Sequence, residues 1–375
     1  MARAGLGENW RCAFANDFDP MKAAVYRANW AADEFVLDDV NALTPDQLPN
    51  QADLVWASFP CQDLSLAGNA IGLGTIGHQT RSGAFWAFWR LMEALIEESR
   101  APAIIVLENV YGALTANDGR DFAAIGRSLA LGGYRFSAVV VDAVHFVPQS
   151  RPRVFVIGVR TEFDLPDHLV SDDSSCDWHP KAMESAIDRL AEADRDQWFW
   201  LCPSAPEQKR VSLSSLIESD PKDVSWHSAT ETQKLINMMT NVNRDRLAAM
   251  QKSNRPLIGT IYKRTRVDAQ GVRRQRAELR NDDIAGCLRT PGGGSSRQIV
   301  MVVDGEKVRT RLLSGREAAR LMGLPDSYKL PHRYNDAYHV SGDGVVVPVV
   351  RYIAETVIEP ILNWNLERQY LVAAE

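Results

Sequence analysis

Two stretches decide how this chain folds: Asp53-Leu-Val-Trp-Ala-Ser-Phe59, which runs into Pro60-Cys61-Gln62, and Ala103-Ile-Ile-Val-Leu-Glu-Asn-Val110. Both are short apolar runs without the polar alternation of a half-exposed strand, so both read as strands buried on two faces. Arg11–Asn16 reads as another strand, ending at Asn16-Asp17-Phe18-Asp19-Pro20, and Arg153–Val159 as a further one. Between them the pattern predicts helices over Met21–Asn29, Ser82–Glu98 and Asp121–Leu131. Short apolar strands alternating with helices predict an α/β fold with a mostly parallel sheet covered on both faces. Such sheets hold ligands at the carboxyl ends of their strands. The polar punctuation falls at those ends: Asp17, Asp39, Pro60-Cys61-Gln62 and Glu108-Asn109.

From about residue 165 to 305 the rhythm breaks. Acidic loops, scattered tryptophans (Trp178, Trp198, Trp200, Trp226) and the basic stretch Arg255–Arg280 replace the alternation. This segment reads as a second domain inserted between a first part of the main domain, 1–164, and its return, 306–375, which ends in a helix. A length of 375 residues suits two or three domains, and 45% hydrophobic with 24% charged residues is ordinary for a soluble globular chain. The net charge of −6 averages over a strong asymmetry. Residues 161–200 hold eleven Asp/Glu against three Lys/Arg, whereas residues 251–300 hold eleven Lys/Arg against four Asp/Glu. The second stretch is a candidate phosphate-binding surface inside an acidic protein. Near the end, Ser314-Gly-Arg-Glu317 is a capping box that opens a helix over Glu317–Met322, closed by Gly323 and Pro325. Val345–Val350 and a helical run to Leu362 follow.

Several classes are excluded. The longest apolar stretches, Ala84–Ile96 and Ala103–Leu107, fall short of the ~18 residues of a membrane span, and Arg90 and Glu93 interrupt the first. The first ten residues contain no apolar core of signal-peptide length. Five cysteines without regular spacing form neither a disulfide framework nor a zinc ligand set, so no metal is expected and a reducing cytoplasm is the default compartment.

Three segments carry chemistry. A lone cysteine is most often a small buried hydrophobe. Cys61, however, occupies the turn after a buried strand, where a thiolate is aimed at the ligand-bearing edge and can act as a nucleophile. The other cysteines show no comparable setting. Glu108 ends a buried strand, and partial desolvation favours its holding a proton; standing alone it reads equally well as a cap for the next turn. Gln149-Ser-Arg151-Pro-Arg153 sets two fixed cations before a strand and, alone, would be a solvated basic turn.

Together these segments resemble one family. Phe59-Pro60-Cys61-Gln62 with Ser65, then Glu108-Asn109-Val110, then Gln149-x-Arg151-x-Arg153 follow the ordered motifs of the cytosine-5 DNA methyltransferases. Arg81-Ser82-Gly83, Gly292-Gly-Gly-Ser-Ser-Arg297, Arg316-Glu-Ala-Ala-Arg-Leu-Met-Gly323 and Ser341-Gly-Asp-Gly-Val345 extend the match to about residue 362. The resemblance implies a Rossmann-like S-adenosylmethionine-dependent methyltransferase sheet with an inserted, smaller target-recognition domain. It further implies that the target cytosine is flipped out of duplex DNA. The Cys61 thiolate then adds to C6, Glu108 bonds N3 and the exocyclic amine, and Arg153 with Arg151 braces the O2 side. On the cofactor side it implies Asp17 on the ribose, Phe18 stacked on adenine and Asp39 at the adenine amino group, with Val40, Pro60 and Ala84 alongside. Asp343, where the family commonly has Asn, and Gly344 are expected at the amino-acid end of the cofactor. The glycine-bearing stretch Gln62–Thr80 fits the family's loop that closes over DNA. Gln62, Ser65, Arg81, Gln149 and Arg297 are expected on DNA, as are Lys263, Arg264, Arg266, Arg273, Arg274 and Arg276, mostly on phosphates.

The family's opening strand and its Phe-x-Gly-x-Gly turn have no counterpart. Only nine residues separate Gly7 from Asp17, too few for a helix and a strand, so Gly5 and Gly7 fit the end of a first helix. The expectation is a sheet lacking its first central strand, through either an internal start or a true shortened form. The leading reading is a bacterial or phage DNA methyltransferase of restriction–modification type, nucleoid-associated through double-stranded DNA. It needs no obligatory protein partner, and a restriction endonuclease of the same system is the one partner consistent with it. The alternatives are a tRNA cytosine-5 methyltransferase on the same scaffold and a catalytically inactive DNA-binding form.

Overall fold

The computed structural model describes residues 1–30, 33–59, 83–174, 176–206, 211–267, 271–289 and 297–373. The chain opens with α1 (Ala2–Leu6), which ends at Gly7 with φ of 85°, a value that favours glycine. This is the helix end expected there. Strand β1 (Ala15–Asp17) starts later than expected and finishes on Asp17. Asp19 caps α2 (Pro20–Asn29) by accepting from the Met21 and Lys22 amides at 2.8 and 3.4 Å, and Pro20 occupies the first turn, where its missing N–H costs nothing. Strand β2 (Phe35–Leu37) pairs parallel to β1.

The larger sheet comprises β3 (Leu54–Ser58), β4 (Ile104–Val110), β5 (Tyr134–Asp142) and β6 (Pro152–Arg160), in the order β3-β4-β6-β5. The expectation of a mostly parallel sheet holds for strand direction: β3, β4 and β5 run the same way, and β6, antiparallel to both β4 and β5, alone runs against them. The link between β5 and β6, residues 143–151, holds no crossover helix, so the chain returns beside its own strand instead of crossing the sheet. Strand β5 itself was not anticipated.

Burial on both faces follows the pleat of β4. Ile104 and Val106 join Val139, Val141, Phe155 and Ile157 in one core. Ile105 and Leu107 join Phe136, Val154 and Val156 in the other. Helices α3 (Gly83–Glu97) and α4 (Arg120–Leu131) cover the second face with Phe85, Trp89, Phe122 and Ile125. The acidic stretch also packs here. α5 (Lys181–Ile187) contributes Met183, Ala186 and Ile187, and α6 (Glu192–Arg195) and the short pair β7 (Val170–Ser171) and β8 (Trp200–Leu201) lie nearby. Residues 161–200 therefore pack with the main sheet, not with a separate body.

The separate body forms later. After α7 (Leu213–Leu216), helices α8 (Ala229–Asn237) and α9 (Asn241–Gln251) pack on an antiparallel sheet of β9 (Leu257–Val267), β10 (Arg273–Arg280), β11 (Ile299–Asp304) and β12 (Lys307–Leu312), ordered β10-β9-β11-β12. Its core includes Leu235, Leu247, Met250, Ile261, Leu279 and Met301, and begins about 70 residues beyond the expected boundary at 165.

The chain returns to the main sheet through α10 (Gly315–Leu321), α11 (Tyr334–Asp343), α12 (Val347–Ile353), a π-helical turn over Ala354–Ile358 and α13 (Glu359–Ala373). The Ser314 capping box is present, with Gly323 at φ of 76° just beyond the helix. At this junction Arg311 of β12 and Glu317 of α10 form a bidentate pair at 2.6 and 2.7 Å with both side chains at 0% exposure. The Glu317 carboxylate also accepts from the amides of Glu218 and Ser314 at 2.7 Å each, so the desolvated charge is fully bonded. Glu317→Ala strands the Arg311 cation, and chemical denaturation should register a loss of about 3–5 kcal/mol. A loss below 1 kcal/mol would refute this account.

Candidate active site

The site grows from the end of β4. In the register of β4 against β6, Val110 faces Arg153, so Glu108, two residues back, shares its side of the sheet diagonally. Arg153 Nε lies 3.1 Å from Glu108 Oε1, with the two side chains 14% and 10% exposed. A carboxylate this buried needs such a counter-charge. Beside it, Asn109 donates from Nδ2 to the Phe59 carbonyl at 3.1 Å and accepts from the Val110 amide at 2.8 Å. Asn109 thus pins the last described residue of the β3 end next to Glu108. Pro60, Cys61, Gln62, Ser65 and Arg81 lie outside the described residues, as does the glycine-bearing stretch 62–80.

Arg151 does different work from Arg153. It is 3% exposed and donates to the carbonyls of Leu288, Gly342 and Gly344 at 2.9, 2.9 and 2.8 Å. Burial and then the like charge of Arg153 pull its guanidinium below the usual value, while Cys287 and Glu108 act the other way. Asp142 fixes the approach, accepting from the Arg151 amide at 2.6 Å and the Ser150 hydroxyl at 3.3 Å. Gln149 was expected on DNA but has 0% exposure, and its amide bridges the Leu321 carbonyl at 2.8 Å and the Leu288 amide at 3.0 Å. With donor and acceptor both used internally, it is removed from the DNA-facing set.

Of the residues expected on the cofactor side, Asp17 and Asp343 meet at a lysine that the sequence did not single out. Lys22 Nζ lies 2.9 Å from Asp343 Oδ2. Burial works to lower the Lys22 ammonium, but Asp343, Asp17 and Asp19 outweigh it and raise it above its usual value. Asp17 and Asp343, 326 positions apart in the sequence, are thereby brought to one place. Phe18, at the carboxyl end of β1, is 74% exposed among the described residues. Asp39 follows β2 and accepts from the Asn41 amide at 2.8 Å, with Val40 packed at the rim of the second core. Ala84 sits in the first turn of α3, and Gly344 is tied to Arg151. An exposed ring beside strand-end carboxylates fits a nucleoside.

The basic residues form a hairpin. Pairing of β9 with β10 places Arg264 opposite Arg276 and Arg266 opposite Arg274, four cations on one face, while Lys263 pairs with Ala277 and Arg273 with Val267 on the other. Glu278 holds Arg266 at 2.6 Å and Arg264 at 3.5 Å. Arg246, Arg266 and Arg276 line a cleft of about 610 Å³ between the hairpin and α9, with Val242 and Val267 as its apolar wall. Arg297 stands apart, donating to Asn335 at 2.7 Å.

Cys287, which the sequence did not single out, lies beside both motif arginines: its sulfur accepts from Arg151 Nη1 at 3.4 Å and meets Arg153 Nη2 at 4.0 Å. No local pattern announces this, because the arginines lie over 130 positions upstream. Lys22 had a readable signal: a cation in the first turn of a helix directly after Asp17 and Asp19.

Carboxylates and an exposed ring after parallel strands, with an acid–guanidinium pair at the end of another, suit α/β enzymes that transfer a group from a nucleoside cofactor. The chain is a member of the C-5 cytosine-specific DNA methylase family, which matches it over residues 2–359. It methylates cytosine at C5 in DNA and uses S-adenosylmethionine. It is 25% identical over 354 residues to the type II methyltransferase M.HaeII of Haemophilus aegyptius, covering 93% of this chain and 86% of that protein. M.NgoBI of Neisseria gonorrhoeae is 26% identical over 347 residues, covering 92% and 85%. Among solved structures, S. pombe Dnmt2 superimposes with a TM-score of 0.53 at 15% identity, covering 95% of this chain and 92% of that one. A mutant DNMT2 of Spodoptera frugiperda gives 0.58 at 15% identity, covering 96% and 95%. At that identity the likeness speaks for the fold alone.

Gln149→Ala should cost about 1–3 kcal/mol in denaturation, because it orphans the Leu288 amide and the Leu321 carbonyl. Its DNA affinity should stay within about twofold of wild type, since no exposed surface changes. A large drop in affinity with unchanged stability would return Gln149 to the DNA face.

Proposed function

We propose that this methyltransferase works on duplex DNA as the modification enzyme of a type II restriction–modification system, with Cys61 as nucleophile and Glu108 and Arg153 as the groups that meet the flipped cytosine. The observation that carries the reading is the Glu108–Arg153 pair at the end of β4, with Asn109 holding Phe59 two residues before Cys61. The names of M.HaeII and M.NgoBI support the type II assignment.

In this reading the Cys61 sulfur bonds to C6 and pushes electron density to C5. Glu108 accepts from the exocyclic amine and shares a proton with N3, offsetting charge that builds on the ring as the sulfur adds. Arg153 keeps that carboxylate aimed and offers N–H groups toward O2. The cofactor, when bound, supplies an electrophilic methyl group. Loss of the C5 proton and cleavage of the sulfur–C6 bond then restore the ring. Asp17 would hold the ribose hydroxyls, Phe18 the adenine face and Asp39 the adenine amino group. Asp343 would meet the amino-acid end, with Val40, Pro60, Ala84 and Gly344 shaping the floor. Arg151 acts at one remove, holding the Gly342 and Gly344 carbonyls in place.

We place the target-recognition unit at residues 229–312, the span of α8 through β12, in place of 165–305. Lys263, Arg264, Arg266, Arg273, Arg274 and Arg276 would track phosphates, with Gln62, Ser65, Arg81 and Arg297 closer to the target base. The cofactor floor is read as having room for one more parallel strand, because among the described residues β1 and β3 are not paired with each other.

Cys61→Ser should abolish transfer of labelled methyl groups to duplex DNA while leaving DNA binding intact, and preserved turnover would falsify the nucleophile. Glu108→Gln should lower kcat roughly 10²–10³-fold. Label entering tRNA and never duplex DNA would sink the substrate assignment. Each hairpin Arg→Ala change should reduce the slope of log affinity against log salt by about 1.

A further inference from the structure

Cys287 lies where the recognition sheet meets the two site arginines. Its thiol proton points to the Leu288 carbonyl at 3.4 Å, which leaves the sulfur lone pairs for guanidinium N–H groups. Arg151 Nη1 approaches at 3.4 Å and Arg153 Nη2 at 4.0 Å. The rest of the Arg153 guanidinium contacts Glu108 through Nε and the Pro152 carbonyl through Nη1 at 2.9 Å. Among the described residues Cys287 is therefore what meets its far end.

The backbone of Cys287 is held from the other side. Tyr262 of β9 donates its hydroxyl to the Cys287 carbonyl. The ring is 7% exposed, and burial pushes the phenol far above its usual value, so it remains a donor at any working pH. Gly286 permits this approach, since a Cβ there would overlap the Tyr262 ring. On the outer side the Arg264 guanidinium lies 5.6 Å from the centre of the same ring. A continuous series of contacts thus runs from the basic face of the hairpin through Tyr262 and Cys287 to Arg153 and Glu108.

We propose that Cys287 and Tyr262 are positioning residues for methyl transfer: Tyr262 seats the Cys287 backbone, and the Cys287 sulfur sets the pose of Arg153 against Glu108. The recognition sheet thereby helps to assemble the acid–arginine pair. The proposal rests on Glu108 and Arg153 being the groups that meet cytosine. Neither positioning residue touches the reacting atoms, so their loss should act on turnover and not on the capture of DNA.

The test is steady-state methylation of unmethylated bacteriophage λ DNA by the full chain, with filter binding of the same DNA and thermal unfolding as companion measurements. Cys287→Ala and Tyr262→Phe should each lower kcat by roughly 10-fold to 100-fold, the penalty of a misplaced reacting group. KM and Kd for DNA should stay within about twofold. Cys287→Ser, which keeps an acceptor at the same position, should recover most of the rate. The proposal is overturned if Cys287→Ala and Cys287→Ser behave alike, if KM rises while kcat holds, or if Tyr262→Phe matches wild type. Arg153→Ala and Glu108→Gln, run in parallel, separate the two layers. Full kcat in these two would defeat the assignment of the catalytic pair, whatever the Cys287 variants do.

Discussion

The bidentate bond between Arg311 and Glu317 is the constraint on which the two halves of the molecule depend. It joins β12, the last strand of the second four-stranded sheet, to α10, the first helix of the chain's return, and neither side chain touches solvent. A buried ion pair is a poor source of net stability against a well-packed apolar pair. What it contributes is direction, because a planar fork meets a carboxylate in one geometry only. Trp226 closes the outside, with the Arg309 and Arg311 guanidinium carbons 4.2 and 5.1 Å from its ring centre. Because the Ser314 cap and the Glu218 amide converge on the same carboxylate, the angle of α10 and the attitude of the recognition sheet are set together.

The two arginines of one short motif have separate tasks. Arg153, on a strand facing β4, reaches the carboxylate of Glu108. Arg151, two positions earlier, turns into the protein and binds three carbonyls from two places in the chain, Leu288 and Gly342 with Gly344. Substituting Lys at either position would keep the charge but lose the fork that makes several N–H bonds at once.

How much was legible depended on whether the information was local. The strands over Leu54–Ser58 and Ile104–Val110 were legible because unbroken apolar runs have no other good solution at that length, although only the second is buried and the first lies half-buried at the end of the sheet. The capping box at Ser314 and the helix end at Gly7 were legible for the same local reason. The direction of β6 was not, since strand composition does not encode whether the chain crosses a sheet or doubles back. The acidic stretch looks unlike its surroundings and so reads as part of an insert, yet Met183 and Ile187 belong to the main core. In the site, Glu108 and Arg153 were visible as motif residues. Gln149 carried the same polar signature, but burial assigned it to structure. Cys287 and Lys22 matter through contacts with residues far away in sequence, which no window of residues displays.

The tie between residues 148–151 and 285–288 has a bearing on how such enzymes diversify. Ala285 exchanges backbone bonds with Pro148 and Ser150, Gln149 binds Leu288, and Arg151 binds Leu288 as well. Although this segment follows the recognition hairpin in the chain, it is built into the wall of the catalytic half. On the proposed assignment of residues 229–312, transplanting specificity is therefore not a matter of moving one contiguous cassette. A graft that replaced everything from 229 to 312 would carry away part of the active-site wall. One that replaced the helices and strands but kept Ala285–Leu288 from the host would leave that wall whole, and evolution has the same two choices.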